Sequence, residues 1–286
     1  MVDLFLGRTN ALRWGWRAFF FYVVTSFTYG MLVWALHHVG GLAAMPEIAY
    51  VLSLFAVLLS ASWLFVTLEG RSLRSLGLHL GRAWAVDFAK GACLGAAIIA
   101  LSAGGAFAWG GFHLVRTGFS GLSTLGAGAL VYLVPALNEE LAFRGYIFQR
   151  LERSLGPWPS LLVMALLFGA AHLGNPGLTD STRILAMVNI VLAGCLLGLA
   201  YLRTRSLGLP MGLHLGWNWA QGAVFGFDVS GTPVRGFLLP VLHRRPDWIT
   251  GGSFGLEGSV LCTIVCLAAC MLLLCLHPAG KDNSFN

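Results

Sequence analysis

The sequence predicts an all-α fold, a polytopic bundle of about eight transmembrane helices. Of the 286 residues, 57% are hydrophobic and 10% are charged, and the mean hydropathy is +0.76. Soluble domains average about 45–50% apolar and about 25% charged residues. The charged residues are too few to cover a water-soluble surface, and the apolar residues gather in long runs. Both observations indicate a protein that buries most of its surface in lipid.

Eight apolar runs have about the length needed to cross roughly 30 Å of hydrocarbon. The first run is too long and too aromatic for the core of a signal peptide, so we expect it to stay in the mature protein. The fifth run is the shortest. The runs cover residues 14–36, 48–68, 91–109, 125–143, 159–173, 184–202, 209–227 and 258–276.

Two features between and within these runs concern packing. Residues 69–90 mix arginines with leucines and aromatic residues, which predicts an amphipathic segment at the membrane interface. Glycines four residues apart let helix backbones approach each other, so they predict a tight bundle within one chain. Such pairs are Gly91/Gly95, Gly194/Gly198 and Gly212/Gly216. The oligomeric state stays open.

The net charge of +6 is a topology signal. If the N-terminus is cytoplasmic, 13 Lys and Arg residues fall on the cytoplasmic side and 5 on the other side. Cytoplasmic loops carry such an excess, so both termini are predicted to be cytoplasmic, and the charge gives no support for nucleic-acid binding. The 13 are Arg8, Arg13, Arg17, Arg71, Arg74, Arg82, Lys90, Arg144, Arg150, Arg153, Arg203, Arg205 and Lys281. The 5 are Arg116, Arg183, Arg235, Arg244 and Arg245.

Two adjacent acids and an arginine lie at the end of the fourth run, at Glu139, Glu140 and Arg144. Ionised side chains within a bilayer cost from about 2.5 to more than 10 kcal/mol, so such a cluster is a functional-site hypothesis by default. Glu140 and Arg144 are four residues apart and share a helix face, which predicts an orienting ion pair. Glu139 points about 100° away and is therefore assigned to chemistry.

Polar residues in the fifth and seventh runs are predicted to meet Glu139. Glu139 lies 15 residues before Ser154, and His172 lies 15 residues after Pro157, so an antiparallel hairpin brings both to the same height. His214 and Asn218 are four residues apart and share one helix face. The sequence therefore predicts one pocket that contains a carboxylate, two imidazoles and a carboxamide.

This pocket is suited to hydrolysis by either of two routes. Glu139 can act as a general base toward a water molecule while His214 and Asn218 donate hydrogen bonds to the developing oxyanion. Alternatively, Glu139, His172 and His214 can be three ligands of a catalytic zinc ion. No His-Glu-x-x-His helix is present to favour zinc. The residues alone leave both routes open, so no cofactor is assigned and zinc stays an alternative.

Three motifs in order, in a chain of this hydropathy, resemble the signature of the CAAX-protease and bacteriocin-processing (CPBP, or Abi) family of intramembrane proteases. The likeness covers about residues 123–227, flanked by residues 1–122 and 228–286, which carry no such motif. The motifs are Glu-Glu-x-x-x-Arg at Glu139, Glu140 and Arg144, Phe-x-x-x-His at Phe168 and His172, and His-x-x-x-Asn at His214 and Asn218.

The resemblance implies an endopeptidase that acts on a membrane-associated peptide or protein. It assigns the reaction to Glu139, His172, His214 and Asn218, with Glu140, Arg144 and Phe168 in support. Family members are described as glutamate-dependent or metal-dependent. The compact chain with short loops is more similar to bacterial inner-membrane members, for which a prenylated substrate is not implied.

Two other function classes stay open. Intramembrane Glu, Arg and His residues also build proton relays and transport paths, although no inverted repeat is detectable in the chain. A membrane immunity or scaffold protein that retains the fold without activity is the second alternative. Glu257, at the start of the last run, is predicted to lie at the membrane interface, outside the site.

Overall fold

The computed structural model describes residue 5 and residues 12–38, 46–118, 121–178 and 181–276. Arg8 and Lys281, which entered the charge count, lie outside the described residues. The helices are α1 (Trp14–His38), α2 (Glu47–Leu68), α3 (Arg82–Ala108), α4 (Gly121–Glu140), α5 (Tyr146–Leu155), α6 (Pro157–Ala171), α7 (Arg183–Thr204), α8 (Gly208–Asn218), α9 (Asp247–Thr250) and α10 (Val260–Cys275). Short 3-10 turns lie at Leu73–Leu76, Gly252–Phe254 and Leu256–Gly258.

The fold is an all-α membrane bundle, as predicted. Among the described residues, four helices (α1, α2, α3 and α7) are long and apolar enough to cross a membrane, and α6 and α10 are shorter apolar helices. About eight spans stays a prediction. The third apolar run was predicted to start at residue 91, but the helix begins at Arg82. Long basic side chains in the first turns of a helix can extend toward the membrane interface, so they do not have to end the helix.

Two helices that carry the candidate motifs continue into π-helical turns. Leu141–Gly145 joins α4 to α5, and Trp219–Val224 follows α8. A π turn holds one more residue per turn than an α-helix, and such turns occur frequently at functional sites. The fourth and seventh runs are therefore not continuous α-helices, a feature that apolar periodicity could not reveal.

Glycines bring α3 and α8 into backbone contact. A Cβ atom on Gly95 would lie 2.0 Å from the carbonyl oxygen of Leu213, and one on Gly216 would lie 2.0 Å from that of Ala92. Gly91 and Gly212 make equally close approaches. Because only glycine fits at such distances, the helix that carries His214 and Asn218 is held directly against the backbone of α3.

A buried ionic cluster joins α1, α2 and α5 at the end of the bundle near Gly156. The Glu69 carboxylate accepts hydrogen bonds from Arg150 (3.0 and 2.5 Å) and from the Tyr146 hydroxyl (2.5 Å), and it lies 3.1 Å from Arg17. Burial alone raises the pKa of Glu69, but the hydrogen bonds from Arg150 and Tyr146 and the charge of Arg150 bring the net pKa below its usual value.

Loops and a small sheet close the opposite end of the bundle. Strands β1 (Phe112–Arg116) and β2 (Leu238–Leu242) pair antiparallel, with Phe112 opposite Leu242. Residues 172–177, 228–232 and 251–258 form three loops that we call the cap. Gly231 and Gly255 adopt φ angles of 80° and 87°. A Cβ atom on Gly231 would lie 1.6 Å from the Pro176 carbonyl oxygen, so the cap loops are tightly packed.

Candidate active site

Glu139, His172 and His214 converge as the sequence predicted. The Glu139 Oε2 atom lies 4.0 Å from His172 Nε2 and 3.9 Å from His214 Nε2. The Glu139 side chain is 33% exposed, yet its Oε2 atom is buried and has no hydrogen-bond partner within the part of the chain that the structure describes. This carboxylate oxygen is therefore an unused hydrogen-bond acceptor that faces two imidazoles.

Glu140 forms the predicted ion pair and also orients a histidine. Its Oε1 atom accepts hydrogen bonds from Arg144 Nη1 and from His214 Nδ1, both at 2.9 Å. Arg144 Nη2 in turn donates to the carbonyl oxygen of Gly194 at 2.9 Å. Glu140 and Arg144 are 0% and 1% exposed. Because His214 Nδ1 donates its proton in a hydrogen bond to Glu140, the ring is turned so that its Nε2 atom faces Glu139.

Phe168 holds the second imidazole and covers the arginine. His172 Nδ1 lies 2.7 Å from the carbonyl oxygen of Phe168, which directs His172 Nε2 toward Glu139. The Phe168 ring centroid lies 4.6 Å from the Arg144 guanidinium carbon and 4.6 Å from the His172 ring. The aromatic motif residue therefore contacts both the ion pair and the candidate catalytic group.

A small cavity adjoins the two imidazoles. It encloses about 30 Å³, which is room for one or two water molecules, since one water needs at least about 10–15 Å³. The polar side chains along its wall include His172, His214, Asn218, Ser230 and Glu257. Asn218 is buried one turn after His214 and lies on this wall, as the shared helix face predicted.

Glu257 corrects the sequence analysis, which placed this residue at the interface. The side chain is 4% exposed, and its Oε1 atom accepts a hydrogen bond from Trp217 Nε1 at 2.9 Å. Its Oε2 atom accepts from the backbone N–H and the hydroxyl of Ser230, at 2.6 and 2.9 Å. Burial raises the pKa of Glu257, and these hydrogen bonds oppose that rise. The one local signal was an acid among glycines with no basic residue nearby.

The three candidate ligands do not fit a zinc ion in their present arrangement. Tetrahedral zinc, with bonds of about 2.1 Å, places its ligand atoms about 3.4 Å apart. The separations between Glu139 Oε2 and the two Nε2 atoms are 4.0 and 3.9 Å. Across the described ranges, no group of three His, Cys, Asp or Glu residues is arranged to hold a metal ion.

A second, larger groove runs along the side of the bundle between α1, α5 and α6. It encloses about 720 Å³ and is lined mainly by apolar side chains, from Gly15 at one end to Ala171 at the other. Ala142 and Phe143 of the first π turn also line the groove. Its inner end is therefore formed by direct sequence neighbours of His172 and Arg144.

Comparison with known proteins agrees with the motifs. Residues 121–220 match a family model described as "Rce1-like: Type II CAAX prenyl endopeptidase Rce1-like". The matched segment contains all seven motif residues and about a third of the chain. No curated protein and no solved structure matches the chain.

Proposed function

We propose that this protein is an intramembrane endopeptidase that hydrolyses a peptide bond of a membrane-associated peptide or protein. The proposal starts from the match of residues 121–220, which supports assignment to the CPBP/CAAX protease family. One observation carries the residue assignment. The unpartnered Oε2 atom of Glu139 lies about 4 Å from the Nε2 atoms of both His172 and His214. A water molecule about 2.8 Å from each of these atoms fits that spacing.

Glu139 acts as the general base in this mechanism. It takes a proton from the bridging water as the water oxygen attacks the peptide carbonyl carbon. His214, protonated on both ring nitrogens, keeps its Nδ1 bond to Glu140 and donates from Nε2 to the carbonyl oxygen as that oxygen becomes negatively charged, and Asn218, one helical turn away, donates a second hydrogen bond. The proton held by Glu139 then passes to the leaving amine, with His172 assisting the transfer. The peptide C–N bond breaks, and a carboxylic acid and an amine are formed.

Glu140 and Arg144 orient the reacting groups without touching the substrate. The Arg144 guanidinium fixes the Glu140 carboxylate, and that carboxylate fixes His214 through Nδ1. A third group that fixes the orientation of a catalytic imidazole recurs in hydrolases. Replacement of Glu139 should therefore affect the reaction itself, whereas replacement of Glu140 should also affect the stability of the protein.

The lateral groove is the proposed path for substrate. Its apolar lining suits a hydrophobic segment that moves in the plane of the membrane, and its inner end adjoins His172 and Arg144 in sequence. The 15-residue helix α6 places His172 about 22 Å from the turn at Gly156, at 1.5 Å per residue. We further propose a bacterial inner membrane with both termini cytoplasmic, which puts the site in the half of the membrane away from the cytoplasm. The division at residues 123–227 also stays a proposal.

A comparison of two isosteric variants tests the function. Membranes from cells with wild-type protein, Glu139→Gln or Glu140→Gln are analysed by mass spectrometry for new peptide N-termini. We expect fragments in the wild type that vanish with Glu139→Gln, although this variant reaches the membrane at the same level. Unchanged fragments with Glu139→Gln point to a scaffold, and Glu139-dependent proton or solute flux in proteoliposomes without any fragments points to a transporter.

A further inference from the structure

We infer that Glu257 is a positioning residue of the candidate site: its carboxylate holds the cap turn at residues 228–232 and the Trp217 side chain against the cavity lined by His172 and Asn218. Glu257 lies outside the segment that matches the family model. The inference rests on the proposed endopeptidase function for its effect on turnover. The structural part, the holding of the turn, is testable without any substrate.

A single carboxylate bonds to two separate parts of the cavity wall. One oxygen accepts from the indole N–H of Trp217, which lies between His214 and Asn218 on α8. The other oxygen accepts from both donors of Ser230 in the cap. Glu257, Trp217 and Ser230 all line the cavity. The Glu257 side chain therefore links the helix of the proposed oxyanion donors to the turn that faces them.

The turn needs such a link because its backbone is strained. Ser230 has a φ angle of 48°, in the left-handed region that a non-glycine residue rarely adopts. A conformation of this kind persists only where surrounding contacts hold it. The Ser230 N–H and hydroxyl bond to Glu257, and its carbonyl oxygen accepts a hydrogen bond from Asn175 Nδ2 at 3.0 Å. Asn175 N–H in turn donates to the His172 carbonyl oxygen at 3.1 Å, so the turn is also connected to a proposed catalytic residue.

The backbone of Glu257 is fixed from the other side. Asn189 Nδ2 on α7 donates to the carbonyl oxygens of Glu257 (2.6 Å) and Ser259 (2.8 Å). Thr263 on α10 donates to Asn189 Oδ1 at 2.6 Å. Glu257 is thus held at its main chain by α7 while its side chain reaches α8. An interfacial residue that only contacts solvent has no need of this arrangement.

Four full-length variants in lipid nanodiscs test the inference: Glu257→Gln, Trp217→Phe, the double variant, and Trp219→Phe as a matched control. Trp219 also donates its indole N–H, but to the Leu125 carbonyl oxygen and away from Glu257. Amide hydrogen exchange of residues 228–232 is measured for each. In Glu257→Gln, an NH₂ group replaces one carboxylate oxygen and faces the N–H or O–H donor that this oxygen accepted from. We therefore expect amide exchange at residues 228–232 to be at least tenfold faster than in the wild type. Trp219→Phe should leave its exchange at the wild-type rate.

Turnover is measured on a peptide that covers a cleavage site found in the Glu139 comparison. We expect Glu257→Gln to lower kcat at least tenfold while KM stays within twofold of the wild type. The double variant should lose no more activity than Glu257→Gln, because both substitutions break the same hydrogen bond between Trp217 and Glu257. Wild-type kcat in Glu257→Gln, or additive losses in the double variant, overturns the inference, as does unchanged exchange at residues 228–232.

Two further outcomes separate this inference from the proposed function. If Glu257→Gln does not fold, Ser230→Ala removes the hydroxyl donor while keeping the backbone N–H bond and the left-handed conformation, and it should fold and show faster exchange in the turn. Wild-type exchange in that folded variant would also overturn the inference. An inactive wild-type protein in which Glu257→Gln accelerates exchange sinks the proposed function and leaves Glu257 as the residue that holds the cap.

Discussion

The contact between α3 and α8 should not tolerate one added methyl group. In Gly95→Ala, the new Cβ atom would lie 2.0 Å from the Leu213 carbonyl oxygen and 2.7 Å from the Trp217 backbone nitrogen. Cβ atoms essentially never approach backbone atoms closer than 3.0 Å, so the helices have to separate by about 1 Å. Overpacking of this kind costs about 1–3 kcal/mol, against which alanine returns about 1 kcal/mol of helix propensity.

The same displacement should have a larger effect on activity than on stability. His214 and Asn218 lie on α8 beside the contact, and a 1 Å misplacement of a catalytic group can cost about 10²-fold in rate. We therefore expect Gly95→Ala to be folded, up to about 2 kcal/mol less stable, and about 10²-fold less active.

Gly104→Ala is the matched control on the same helix. Nothing lies within 4 Å of a Cβ atom at Gly104, so only the helix-propensity gain of up to about 1 kcal/mol applies. Thermal unfolding in detergent and the release of peptide fragments are measured for both variants. Equal stability and equal activity of the two alanine variants would falsify the argument that α8 is positioned by backbone contact with α3.

Four other predictions follow from the site and the ionic cluster. Glu140→Gln should lower the free energy of unfolding by about 3–5 kcal/mol, because it leaves the buried Arg144 without its carboxylate partner. Glu139→Gln should change the free energy of unfolding little. A larger loss in Glu139→Gln than in Glu140→Gln, measured by thermal unfolding, contradicts these roles. Phe168→Leu should cost about 0.5–2 kcal/mol through lost cation–π contact with Arg144, and it should also lower turnover, so a fully active and stable variant rejects this role. The pKa of the Glu69 carboxylate is lower in the folded than in the unfolded protein, so this group stabilises the fold above the unfolded pKa of about 4.3, and the stabilisation is lost as the pH falls through the folded pKa. The unfolding free energies of the wild type and Glu69→Gln should therefore converge at low pH. A difference that stays constant with pH contradicts this. Chelation should leave activity unchanged, whereas stoichiometric zinc that is lost in His172→Ala, together with activity restored by zinc, excludes the metal-free mechanism.

Sequence alone could predict the parts of the site that depend on local geometry. Glu140 and Arg144 are four residues apart on one helix, so their pairing needed only helical spacing. Glu139 and His172 lie at equal distances from a short turn, so their height in the bundle also followed from counting residues. The glycine spacing likewise predicted a tight bundle, although it did not indicate that α3 and α8 are the helices in contact.

The missed features depend on contacts between distant parts of the chain. Glu257 is buried because Trp217 and Ser230 supply donors from other elements, and nothing beside Glu257 in the sequence indicates them. The second bond of Glu140, to His214, joins two helices and was likewise invisible to spacing arguments. Strands β1 and β2 are more than 120 residues apart in the chain, and neither segment has enough alternation of its own to predict a strand.

The π turn at Leu141–Gly145 has a consequence for how the length of this chain can vary. On its N-terminal side Glu140 bonds to His214, and on its C-terminal side Arg150 bonds to Glu69. Five π-helical residues turn through nearly the same angle as four α-helical residues, about 400°, so losing one residue between 141 and 143 would leave α5 facing the same way relative to α4. Losing one residue from the α-helical stretch 146–149 would instead rotate Arg150 by about 100° away from Glu69. Related chains should therefore tolerate a single-residue gap inside the π turn but none between positions 146 and 149.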